Sequence, residues 1–128
     1  MTTRTELAIN ERTSAPVTCT LKDEASVVIP LADIDSIEMT LIETNTGNTV
    51  NSRAKQNVLN TNNCTMHETS GLFTWNVQPE DTTVSVVAIG QTERHLATFT
   101  VVWDTTKQMH FEIVLLIENL RSVPQVSA

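Results

Sequence analysis

From His95 to Trp103, the residues His95, Ala97, Phe99, Val101 and Trp103 alternate with Leu96, Thr98, Thr100 and Val102, a period of two that predicts a strand and not a helix. Asp104-Thr105-Thr106-Lys107 has the residue types of a turn. Phe111, Ile113, Leu115 and Ile117 then predict the return arm of a long hairpin. Val114 and Leu116 stand between them, where a half-solvated antiparallel strand would carry polar residues. That strand is apolar on both faces. Its second face needs a cover, from another sheet of the same domain or from a neighbouring subunit.

Upstream, Val17–Leu21 and Ser26–Ile29 read as strands, with Pro16 and Pro30 marking where ladder hydrogen bonding starts or stops. Ile37, Met39 and Leu41 alternate with Glu38 and Thr40, and Asn45-Thr46-Gly47-Asn48 predicts a hairpin returning through Thr49 and Val50. Ser52–Asn60 holds the one run of reasonable helix formers, too short to be stable alone, and is expected to be a helical turn or a loop between sheets. Phe73, Trp75 and Val77 share a face of the next strand, Gln78-Pro79-Glu80-Asp81 turns the chain, and Val84–Ile89 predicts one strand more. Roughly seven to nine short strands joined by polar turns are the pattern of an all-β, antiparallel two-sheet sandwich. The alternation of Trp75, Trp103, Phe73, Phe99 and Phe111 with Thr and Asn assigns the aromatics to the core, although the same residue types would build a surface platform for sugars or bases. Trp103 borders a turn and is the one aromatic for which partial exposure is the alternative to the core.

A length of 128 residues bounds the chain to one sandwich, expected over residues 15–120. Residues 1–14 are polar with a short alternation at Leu7 and Ile9, an arm or an edge strand, and residues 121–128 form a tail with little to bury. Eight basic against fifteen acidic residues give a net charge of −7, which disfavours nucleic acid or an anionic membrane as partner. The start carries an early Glu6 and no apolar run of signal-peptide type, and no stretch approaches a membrane span, so the chain is expected to be made and kept in a cytoplasm. Cys19 and Cys64 are then expected as buried free thiols, and the sequon Asn63-Cys64-Thr65 carries no weight.

Candidate chemistry is sparse. Cys64-Thr65-Met66-His67 offers two zinc-type ligands without the second close pair of a structural site, so no metal is expected. There is no nucleophile elbow, phosphate loop or dinucleotide fingerprint, so no cofactor and no catalytic residue are assigned. A thiolate paired with one of the three histidines is the enzyme alternative. Asp33/Asp35 and Glu80/Asp81 read as solvated turn acids, with calcium as the sharper alternative at the first pair. His95 is in phase with the core and beside Glu93, which predicts a hydrogen-bonded buried histidine, with a pH-sensitive interface contact as the alternative.

Ile37–Gly47, Val50–Arg53 with Gln56–Val58, Ser70–Trp75 with Gln78-Pro79, and Glu93–His95 with Phe99 and Trp103 resemble small virion proteins of tailed bacteriophages. The resemblance spans residues 30–124 in short patches, with no catalytic signature. It implies an immunoglobulin-like sandwich, localised to the virion after assembly in the host cytoplasm. Its partner would be the major capsid protein or another virion structural protein, with self-association on the particle. The expected role is a non-enzymatic capsid decoration or cement protein. A head–tail neck or tail component is the alternative, and a carbohydrate-binding or adhesion module using Trp75 or Trp103 is the rival of a different class. The interface residues expected from the pattern are Leu7, Ile9, Leu96, Val102, Val114, Leu116 and Val123.

Overall fold

The computed structural model describes residues 3–84 and 91–119. Eight strands follow one another among these residues: β1 Thr3–Asn10, β2 Ala15–Thr20, β3 Ile34–Glu43, β4 Gln56–Asn57, β5 Cys64–Met66, β6 Leu72–Val77, β7 Thr92–Trp103 and β8 Lys107–Glu118. They form a five-stranded sheet in the order β1-β8-β7-β3-β4 and a three-stranded sheet in the order β2-β6-β5. The two inner faces enclose the core, as the all-β sandwich pattern requires.

The terminal hairpin organises the larger sheet. β7 and β8 pair without interruption from Thr92↔Glu118 to Trp103↔Lys107, and β3 pairs antiparallel with β7. Phe111, Ile113, Leu115 and Ile117 point inward and join Ala97, Phe99, Val101 and Trp103 in the core. Phe99 and Phe111 stack with centroids 4.5 Å apart, and Phe73 of the opposite sheet meets Phe99 edge-on at 5.3 Å, a favourable aromatic geometry. Trp75 and Trp103 are both buried, in line with the core assignment of the aromatics, and Trp103 is covered even beside its turn.

The chain's first strand lies at the edge of the larger sheet. β1 runs parallel to β8, the one departure from antiparallel pairing among the described residues. Leu7 and Ile9 face inward there and pack against the core.

One expected strand takes another form. Ser26–Ile29 is not a strand but one side of a bridge between Lys22 and Val28. The Asp23 carboxylate accepts the amides of Ala25 and Val27, and Ser26 sits at φ 62°, so the chain turns before a ladder can extend. Ser52–Asn60 is a loop, one of the two forms expected of it, and carries β4; the hairpin returns through Thr49, which bridges Ile42, with the Val50 amide donating to the Leu41 carbonyl. The Val84–Ile89 strand, Val123 and the 121–128 tail lie wholly or mainly outside the described residues.

Candidate interaction surface

Alternation along β3, β7, β8 and β1 sends every second side chain to the outer face of the larger sheet. Register places Ile42, Leu96, Val114 and Glu6 in one row across that face, with Arg94, Leu116 and Ala8 in the next. Val114 is 1% exposed yet stands outside the core cluster, and Ile42, Leu96 and Leu116 are half-buried. Ile42, Leu96, Leu116 and Ala8 are therefore the accessible part of an apolar patch, grouped around a Val114 that its neighbours already cover. Toward the β7–β8 turn the face becomes polar, with Thr40, Thr98, Glu112 and Arg4 in one row and Glu38, Thr100 and His110 in the next.

The residues expected at an interface divide on this geometry. Leu96, Val114 and Leu116 meet in the patch. Val102 shares the face but lies between Ser36 and Gln108, two rows beyond the polar band's start. Leu7 and Ile9 belong to the inner face. Ile42 and Ala8 are patch residues that the sequence reading missed; the available signal was Ile42 beside Leu41, an apolar pair inside an alternating strand.

The outer face of the smaller sheet differs. Thr18, Thr74 and Thr65 form a cross-strand row there, so that surface is hydroxylated where the larger one is apolar.

Buried polar groups sit at one end of the sandwich, and Arg53 is their hub. Its Nε donates to Asp81 Oδ1 at 2.6 Å and a terminal nitrogen donates to Oδ2 at 3.1 Å, a bidentate pair with both side chains buried. Gln56 Oε1, the Asn62 carbonyl and Asn63 Oδ1 accept its remaining hydrogens, and the guanidinium lies 5.9 Å from the Trp75 ring centroid. Asp81 also accepts from the Gln78 amide and Asn51 Nδ2. Asp81 is thus a buried ion-pair partner, which corrects its reading as a solvated turn acid. The pattern missed Arg53 because a lone arginine among helix formers reads as solvated.

His95 is fully buried, its Nδ1–H donating to the Asp81 carbonyl at 2.9 Å and its Nε2 meeting Glu93 Oε2 at 2.5 Å. Both ring nitrogens are engaged. Glu43 is buried opposite His95; burial alone would raise its carboxyl, but hydrogen bonds from the Asn45 and Thr46 amides and the Thr46 hydroxyl, with His95 nearby, hold it below the ordinary value.

The thiols are poor candidates for chemistry. Cys19 and Cys64 are unbridged, and burial pushes both up to about 12. At Cys64, Arg53 opposes that rise and Asp81 adds to it. His67 Nδ1 accepts the amides of Thr69 and Ser70 in a local turn. Among the described residues no three His, Cys, Asp or Glu side chains are grouped to hold a metal ion, and no helix is long and apolar enough to cross a membrane. Asp35 is engaged in structure, its Oδ2 accepting the Thr105 amide at 2.7 Å.

These strands define an immunoglobulin-like β-sandwich. In sheet order β2, β6 and β5 take the places of B, E and D, and β8, β7, β3 and β4 those of G, F, C and C′, with the first strand moved to the edge beside G. The inter-sheet disulfide of antibody domains is missing, since β7 carries no cysteine, and the buried Trp75 stands on the sixth strand rather than on the C strand. With no tyrosine in the chain, His95 bonds back to the turn before β7, as the corner tyrosine does in antibody domains.

No protein-family model matches the chain, and no curated protein matches it. Among solved structures it is similar to the N-terminal Ig1-2 module of the Drosophila receptor protein tyrosine phosphatase DLAR, with a TM-score of 0.41 and 10% identity, over 94% of this chain and 48% of that one. The chain spans about half the length of that module.

Proposed function

We propose that the protein is a non-enzymatic structural component of a tailed-phage virion, bound to the capsid exterior as a decoration or cement protein through the outer face of its larger sheet. The observation that carries this reading is the patch of Ile42, Leu96, Leu116 and Ala8 around the covered Val114, apolar where a free sheet would be polar. The patch patterns of residues 30–124 supply the phage context. A weak single contact of this kind gains strength when many copies bind one lattice, because each contact is repeated and linked.

Two rivals lose support. A sugar-binding platform needs an accessible indole, and Trp75 and Trp103 are both buried. A cysteine nucleophile needs thiolate, and both thiols are pushed up to about 12.

The test is the copy number per particle, by quantitative mass spectrometry of purified virions against the major capsid protein. Hundreds of copies are expected for lattice decoration. About six or twelve copies would move the protein to a ring on the neck or tail axis. Absence from the particle would overturn the virion reading altogether.

A further inference from the structure

We infer that the open edge of β1 is a self-pairing surface, where two copies of the chain join their larger sheets antiparallel about a two-fold axis at Leu7. The pairing uses the edge of the sheet and does not depend on what the outer face binds.

Among the described residues the other sheet edges are blunted. β4 closes one side of the larger sheet with two residues, β5 closes the smaller sheet with three, and β2 carries Pro16. β1 has none of these devices. It runs for eight residues without proline, in unbroken register with β8, and no described strand lies beyond it. The Glu11 amide donates to the Glu118 carbonyl, which fixes the phase of the ladder. Alternate residues of a parallel strand turn both backbone groups to the same side, so Thr5, Leu7 and Ile9 bond to β8. Arg4, Glu6, Ala8 and Asn10 therefore turn their N–H and C=O groups outward, a template for one more strand.

The strand that fits this edge is β1 of a second copy. Two-fold antiparallel pairing must set outward-turned residues opposite one another, which leaves few registers. With Glu6 on the axis, two carboxylates would face each other directly, which is destabilising. With Thr5 on the axis, Ala8 and Asn10 would overrun the second copy's β1, and with Ala8 there Arg4 would do so. With Leu7 on the axis all four outward residues are used, Arg4 opposite Asn10 and Glu6 opposite Ala8. Beneath them the half-buried Leu7 meets its counterpart, and Thr5 meets Ile9. The second copy's Arg4 then stands beside Asn10, whose neighbour in β8 is Glu118. A hollow of about 340 Å³ lies there, lined by Ala8, Ile9, Asn10, Thr92, Leu116 and Glu118. Arg4, half exposed with its guanidinium on Glu112 Oε1, has the reach and the charge to enter that hollow toward Glu118. The net charge of −7 opposes association of copies, but β1 holds one arginine and one glutamate, so the strand itself is neutral.

Sedimentation equilibrium of the full chain, from micromolar to millimolar concentration, tests this. The mean mass is expected to rise toward twice the single-chain value. Ala8→Pro removes an outward N–H and no β1–β8 bond, so it should weaken the association by at least about tenfold while the dilute chain melts nearly as before. Cysteine trapping then checks the register. Leu7→Cys sets two thiols on the axis as a non-hydrogen-bonded pair, about 4.5 Å apart at Cα, and should cross-link the dimer on oxidation. Thr5→Cys places them about 13 Å apart along the strands at the usual rise and should not. The native thiols, pushed up to about 12 by burial, stay out of the reaction. A single-chain mass at every concentration would overturn the inference, whether the edge stays open or something else covers it. So would an association that Ala8→Pro leaves intact, or a Thr5→Cys cross-link as efficient as that of Leu7→Cys.

Discussion

Thr105 and Lys55 hold left-handed backbone, at φ 60° and φ 48°, where a side chain with a Cβ is strained and a β-branched one more so. Their amide hydrogens donate to Asp35 Oδ2 and Thr40 Oγ1 respectively, bonds that glycine keeps, and glycine at 105 gives up only the hydroxyl's local bond to the Asp104 carbonyl. Left-handed strain of about 1–2 kcal/mol exceeds the extra backbone entropy of glycine, about 0.5–1 kcal/mol. Thr105→Gly and Lys55→Gly should each stabilise the fold by about 0.5 kcal/mol, read as a higher urea midpoint with an unchanged slope; a lower midpoint would show that the side chains matter more than the backbone. Glu43 carries the pH dependence at this scale. Its carboxyl is held below the ordinary 4.5 in the fold, so the unfolded chain takes up protons first as the solution is acidified. The stability it contributes is present above that value and is lost as pH falls through and below it. Glu43→Gln should flatten the acid side of the stability curve, and an unaltered acid slope would refute its role. Neither strain nor the Glu43 hydrogen bonds show in the sequence, because both depend on backbone angles that a pattern of residue types does not encode.

Elements were legible where both packing and backbone followed one period. β3, β6, β7 and β8 alternate strictly on their inner faces and appear where the pattern places them. Ser26–Ile29 has the same composition, but the Asp23 side chain closes its turn, so local hydrogen bonding prevails over β-propensity. The loop around Arg53 was illegible for another reason: its order comes from an ion pair with Asp81, distant in sequence. Asp81→Ala would leave the Arg53 guanidinium buried without its counter-charge, at an expected loss of about 3–5 kcal/mol in denaturant unfolding. A loss of under about 1 kcal/mol would mean that the loop relaxes and exposes the charge. Gly71 fixes how β6 begins. It has φ 72°, and a Cβ there would lie 2.4 Å from Val28 Cγ1 and 3.0 Å from the Leu21 carbonyl oxygen. Gly71→Ala should therefore destabilise by about 1–3 kcal/mol through combined strain and overpacking, checked by thermal melting; a neutral effect would show that the Lys22–Val28 bridge yields freely.

For the molecule as a whole, the sequence made the need for a cover visible but not the patch that needs it. Two apolar faces on β8 pointed to Val114 and Leu116, whereas Leu7 and Ile9 turned inward because β1 joins the sheet in a parallel register that no local pattern specifies. Assembly of the patch across strands therefore had to come from the fold. The reading of that face as an interface makes a separable demand on mutants. Leu96 and Leu116 are half-buried on the outer face and contribute nothing to the core cluster, so Leu96→Lys and Leu116→Lys should leave the thermal melt nearly unchanged. Lysine in a desolvated contact is costly, so the same variants should disappear from purified particles assembled in their presence. Thr65→Lys, on the hydroxylated face of the other sheet, serves as the matched charge control and should be incorporated like the parent. Equal incorporation of all three variants would remove the larger sheet's outer face from consideration. Loss of all three would trace the effect to net charge on a surface of −7 rather than to the apolar patch.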